Sequence, residues 1–107
     1  MMENKEVAIQ SRDYWFKIVE FLQQNWALMD PCDRGVKVWF FGDTAGVFNE
    51  LTFASAEEAR RALQRNGFRR YAEAPEVHSF IAPPTPPFRR HPHPNGPIYS
   101  SGRYWKT

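Results

Sequence analysis

Five arginines, Arg60, Arg61, Arg65, Arg69 and Arg70, fall within eleven residues of this 107-residue chain, and Arg89, Arg90 and Arg103 follow. Guanidinium groups hold carboxylates and phosphates through paired, charge-assisted hydrogen bonds. Tyr99, Tyr104 and Trp105 stand near the later arginines, and Trp, Tyr and Arg are the residue types that most often dominate protein interfaces. This chemistry points to non-catalytic recognition of a macromolecule, first of all another protein and an acidic one. The candidate contact residues are Arg69, Arg70, Arg89, Arg90, Tyr99, Arg103, Tyr104 and Trp105. The alternative is single-stranded nucleic acid, with Trp39 and Phe41 stacking on bases while Arg60, Arg61, Arg65 and the arginines up to Arg70 contact phosphates. A plainer reading also stands: arginines on an exposed helix face keep it soluble and pair with Glu57 or Glu73.

Catalytic chemistry is harder to assemble, and an enzyme ranks third. A nucleophile needs a base within reach and a group to orient that base, and no such set is visible in the spacing. Asp30 and Asp33 flank Cys32 and oppose a thiolate there. Asp43 beside Thr44 suits a turn, and Ser100-Ser101 before Gly102 suits a turn or an anion cradle. His91 and His93 are one residue apart and His78 is a distant third; no Cys-x-x-Cys or His-x-x-x-His spacing supports a metal site. No cofactor or metal is expected.

Net charge is +2, but residues 1–55 carry five basic and eight acidic side chains whereas residues 56–107 carry nine and four. The basic second half can steer an acidic partner, or the two halves can attract each other. An apolar fraction of 42% with 16% aromatic residues is enough for a packed core. One cysteine, no apolar leader and no run of roughly 20 apolar residues suggest a soluble, cytoplasmic protein without a membrane span.

The length suits a single domain, 1–107, read as a mobile lead-in (1–10), an α+β core (11–81) and a strap (82–107). Tyr14, Trp15, Ile18, Val19, Phe21, Leu22 and Trp26 recur at helical spacing, so residues 11–30 are expected to form an amphipathic helix, capped by Ser11 or Asp13 and stopped by Pro31. Phe16 falls on its polar arc, as a scattered surface aromatic or the edge of a contact surface. Two strands follow around the Gly42–Gly46 loop, with Val36, Val38 and Phe40 on one face and Lys37, Trp39 and Phe41 on the other. That strand is either covered on both sides or offers Trp39 and Phe41 as a platform.

Ser55 with Glu58 is a capping box, and Asn66-Gly67 is a helix stop, so a short helix lies between them. Extended segments are expected at Phe68 to Ala72 and Glu76 to Ile81. The predicted order is α-β-β-α-β-β, a small antiparallel sheet of about four strands with two helices packed on it. Phe48 to Gly67 resembles the third strand and second helix of an RNA-recognition motif. That family's octamer, laid on Gly46 to Phe53, puts Glu50 at a stacking position and Gly46 at the basic one, and no helix separates the two aromatic strands; the chain is not assigned to it. From Ala82 on, seven of the nine prolines exclude central strands and long helices. Phe88, Ile98, Tyr99, Tyr104 and Trp105 make that segment a strap packed on the core rather than a free linker.

Overall fold

The computed structural model describes residues 6–20, 23–42 and 46–90. These residues build a seven-stranded mixed sheet and one α-helix. In chain order the strands are β1 (Glu6–Val7), β2 (Tyr14–Glu20), β3 (Gln23–Cys32), β4 (Gly35–Phe41), β5 (Gly46–Phe53), β6 (Arg69–Arg70) and β7 (Phe88–Arg90). Helix α1 spans Ala56–Arg65. In space the order is β1-β7-β5-β4-β3-β2-β6, antiparallel everywhere except between β5 and β7. No helix among the described residues is long and apolar enough to cross a membrane.

This overturns the expected α-β-β-α-β-β order. Where a first helix was expected at residues 11–30, β2 and β3 form an antiparallel pair, with Trp15 opposite Ala27 and Phe16 opposite Trp26. A strand covered on both faces has no polar side, so its apolar residues run on without alternation, and such a run satisfies helical spacing by coincidence. Trp15 and Phe16 are adjacent in sequence, yet both are buried, Trp15 in the cluster under α1 and Phe16 in the cluster on the opposite face. Phe16 is therefore not a surface aromatic. Pro31, expected to stop a helix, lies in β3 opposite Val36, just before the turn that leads into β4. The expected caps do other work: the Asp13 N–H donates to Ser11 Oγ, and the Ser11 N–H to Asp30 Oδ1.

That turn explains one glycine. Gly35 has φ = 136°, and a Cβ there would lie 2.2 Å from the Phe53 carbonyl oxygen, so β4 and β5 approach this closely only because no side chain intervenes.

Helix α1 follows its local signals. Ser55 caps it, its Oγ accepting from the Glu58 N–H at 3.2 Å, and Gly67 follows Asn66 with φ = 89°. Ala59, Ala62 and Leu63 are its buried residues. Beyond it, within the expected second pair of strands, Phe68 to Ala72 and Glu76 to Ile81, only Arg69–Arg70 forms a strand. Tyr71–Glu73 and Pro75–Val77 are single 3-10 turns, because Pro75 lacks the N–H a sheet ladder needs and favours the start of a helical turn.

The sheet thus has two covered faces. Helix α1 lies on one, over Trp15, Ala27, Val38 and Phe40. The other packs Phe16, Trp26, Leu28 and Phe41 against Ala74, Val77, Ile81 and Phe88, with Val7 and Ile9 from the N-terminal segment. Two tyrosines pin this covering segment: Tyr14 donates to the Pro84 carbonyl at 2.7 Å, and Tyr71 to that of Ile81 at 2.6 Å. Burial pushes the Tyr14 phenol above the ordinary tyrosine range, with the nearby Arg12 charge opposing. Within the segment expected to be a strap, Phe88 is fully buried and opens β7, which lies between β1 and β5. Residues 91–107 lie outside the described residues.

Candidate functional site: a cleft beside β6

Strand β6 is two residues long and sits at one margin of the sheet, with Arg70 opposite Trp15 and Arg69 opposite Phe16 on β2. Alternation along β6 sends its two side chains to opposite faces. Arg69 reaches the strap side, its guanidinium 5.7 Å from the Phe16 ring centre and paired with Glu76. Arg70 borders the helix side. Its Nε donates to Asp13 Oδ1 at 2.7 Å, and its Nη1 lies 3.3 Å from Glu73 Oε2. The hydrogen bond and charge of Asp13 raise the Arg70 pKa above the ordinary arginine range. The hydrogen bond from Arg69 holds the Glu76 carboxyl below the ordinary glutamate range.

Between the C-terminal half of α1 and β6 the surface falls into a cleft of about 200 Å³, lined by Trp15, Gln64, Phe68, Arg69, Arg70 and Glu73. Two aromatic residues therefore share it with two arginines, an amide and one carboxylate. Trp15 is 1% exposed, and its indole N–H, like that of Trp39, has no hydrogen-bond partner among the described residues. A buried donor left unmade costs about 1–3 kcal/mol, and buried tryptophan N–H groups normally find an acceptor. On α1, Arg60 lies one turn before Gln64 and is exposed, with no ion pair or hydrogen bond among the described residues. Arg65 is likewise exposed and unpaired, while Arg61 pairs with Glu57 at 2.8 Å.

The other two expected contact residues among the described ones do not join this site. Arg89 and Arg90 are in β7, with β5, β4, β3 and β2 standing between them and β6. Tyr99, Arg103, Tyr104 and Trp105 lie outside the described residues, as do Asp43, His91, His93, Ser100 and Ser101. Of the eight residues expected to form one surface, Arg69 and Arg70 line the cleft and Arg89 and Arg90 lie away from it.

The stacking platform is also corrected. Phe41 is completely buried, and it packs with Trp39 on the strap side of the sheet, whereas Arg60, Arg61 and Arg65 ride on α1 across the opposite face. Phe41 cannot stack on a base, and those arginines cannot flank Trp39. Trp39 itself is half-buried between two cations, Lys37 Nζ at 4.9 Å and the Arg90 guanidinium at 5.7 Å from its ring centre. Glu50, its cross-strand partner, pairs with both cations.

His78 stacks on Tyr71 with ring centres 4.2 Å apart, and its Nε2–H donates to the Tyr71 carbonyl at 2.8 Å. Cys32 is exposed at the end of β3. Among the described residues, no three His, Cys, Asp or Glu side chains gather where a cation could be held. Sequence reasoning missed Trp15, Gln64 and Phe68 as partners of the arginines. Arg70 and Trp15 are 55 positions apart, and only the pairing of β2 with β6 joins them.

No model of a known protein family, no curated protein and no solved structure matches this chain.

Proposed function

We propose that this chain is a non-catalytic recognition module that binds another protein through the cleft between α1 and β6, and that the surface it accepts is acidic. One observation carries the reading: Arg70, steadied by Asp13 and Glu73, borders a concave site lined also by Trp15, Gln64, Phe68 and Arg69. Aromatic planes and guanidinium forks anchor protein interfaces, and the lining residues contain no serine, threonine, cysteine or lysine. The unpaired Arg60 one turn away extends positive charge along the exposed side of α1, which favours encounter with a negative surface.

A photoreactive residue in place of Gln64 tests this in the cell of origin. Crosslinks to a protein that disappear when Arg69 and Arg70 are both changed to Gln support the reading. Crosslinks to nucleic acid, or protein crosslinks indifferent to those changes, would overturn it.

A further inference from the structure

The two ion pairs of Arg70 are unequal, and the inequality points to what the cleft accepts. Asp13 holds Nε at 2.7 Å and is the less exposed partner, at 26% of its side chain. Glu73 holds Nη1 at 3.3 Å with 68% of its side chain in solvent. An exposed, long ion pair three residues apart in sequence contributes little and exchanges readily. Asp13 therefore fixes the direction of the guanidinium, while Glu73 occupies its second nitrogen as a replaceable carboxylate. Trp15, whose indole borders the same cleft, can report on an occupant, and Gln64 offers an amide.

We propose that the cleft is a carboxylate-binding site in which a glutamate side chain from an acidic segment of the partner displaces Glu73 from Arg70 and accepts from the Gln64 amide beside Trp15. This rests on the recognition reading above and names the group recognised. A carboxylate fits better than a phosphate. Beside the Arg70 guanidinium the site offers the neutral Gln64 amide, and Asp13 and Glu73 would both repel a dianion. The occupant belongs to a chain of several acidic residues because the exposed wall continues into Arg60 and Arg61, where neighbouring carboxylates of an extended segment would lie. Glu73 is then a built-in competitor, which keeps the arginine soluble and correctly placed until a better carboxylate arrives.

The experiment is an NMR titration of the full chain, following the Trp15 indole N–H, with an acetylated and amidated hexaglutamate peptide. A hexaglutamine peptide and inorganic phosphate serve as comparisons. The expected result is a shift of the Trp15 indole signal with hexaglutamate alone. Glu73→Gln should tighten binding by roughly two- to fivefold, the range of an exposed ion pair, and Arg70→Gln should abolish it. Glu73 is exposed, so its substitution leaves the fold intact and keeps the test valid even where Arg70→Gln destabilises the chain.

Hexaglutamate binding that leaves the indole unmoved and is unchanged or weakened by Glu73→Gln would overturn the carboxylate site while leaving acidic recognition standing. Equal binding of phosphate and hexaglutamate would overturn the preference for a carboxylate. No hexaglutamate binding, together with protein crosslinks at position 64, would overturn the inference alone. No binding and no such crosslinks would remove both it and the reading beneath it.

Discussion

The chain contains the dipeptide Arg-Arg twice on short strands, at 69–70 and at 89–90, and the two surroundings differ in kind. Beside β7, Arg90 closes over Trp39 from one side while Lys37 closes from the other, and Glu50 ties the two cations together. The aromatic face is already taken by the protein's own charges. Beside β6, Asp13 and Glu73 steady Arg70, yet a cleft remains. Arginine and tryptophan close together are therefore not enough to make a site. The indole N–H groups of Trp15 and Trp39 both lack a partner among the described residues, so what separates the two regions is whether the protein's own cations already cover the ring face.

The contrast can be broken first at Phe88, which sits at the start of β7, fully buried and 5.1 Å from the Phe41 ring centre. Phe88→Ala should lose about 3–5 kcal/mol in denaturant unfolding, because removing a buried ring leaves a cavity. A loss below about 1 kcal/mol would mean the β7 side of the sheet is not held by packing. Asp13→Ala comes next. It leaves Arg70 without its better partner, but both side chains reach solvent, so the expected loss is only about 1 kcal/mol. The larger consequence should be weaker binding of hexaglutamate, as the guanidinium loses its orientation. Unchanged affinity would show that Asp13 does not position Arg70.

The smallest effect belongs to Glu76 and sharpens the comparison through pH. Its carboxyl is held below the ordinary range by Arg69, so the folded form binds its proton less readily than the unfolded chain does. Such a group adds stability above its unfolded pKa and loses it as pH falls through the folded one. The stability difference between the parent and Glu76→Gln should be present at neutral pH, begin to fall near the ordinary glutamate pKa of about 4.3, and vanish only below the lower pKa of the folded form. A difference that persists in acid would exclude the ion pair as its source.

Helix α1 was legible in the sequence because its signals are local: a cap at Ser55, acids in the first turn, and Asn66-Gly67 at the stop act within a few residues of one another. The coverage of β4 on both faces was also within reach, since alternating Val38, Trp39, Phe40 and Phe41 leave no polar side. Residues 14–32 were not legible. Their apolar positions satisfy helical spacing, and what decides between helix and strand is whether both flanks find partners, as Trp15 does under α1 and Phe16 does against Tyr71.

Residue types along the chain determined a basic second half and aromatic side chains in both halves, since charge and ring chemistry belong to the side chains themselves. Only the tertiary structure decided which arginines can act together. Pairing of β6 with β2 brings Arg70 beside Trp15, whereas β7 is sequestered on the far side of β5. The physical reason is that a donor counts as free only after every neighbour has been placed, and those neighbours come from strands and turns up to 57 positions away, as the Asp13–Arg70 pair does.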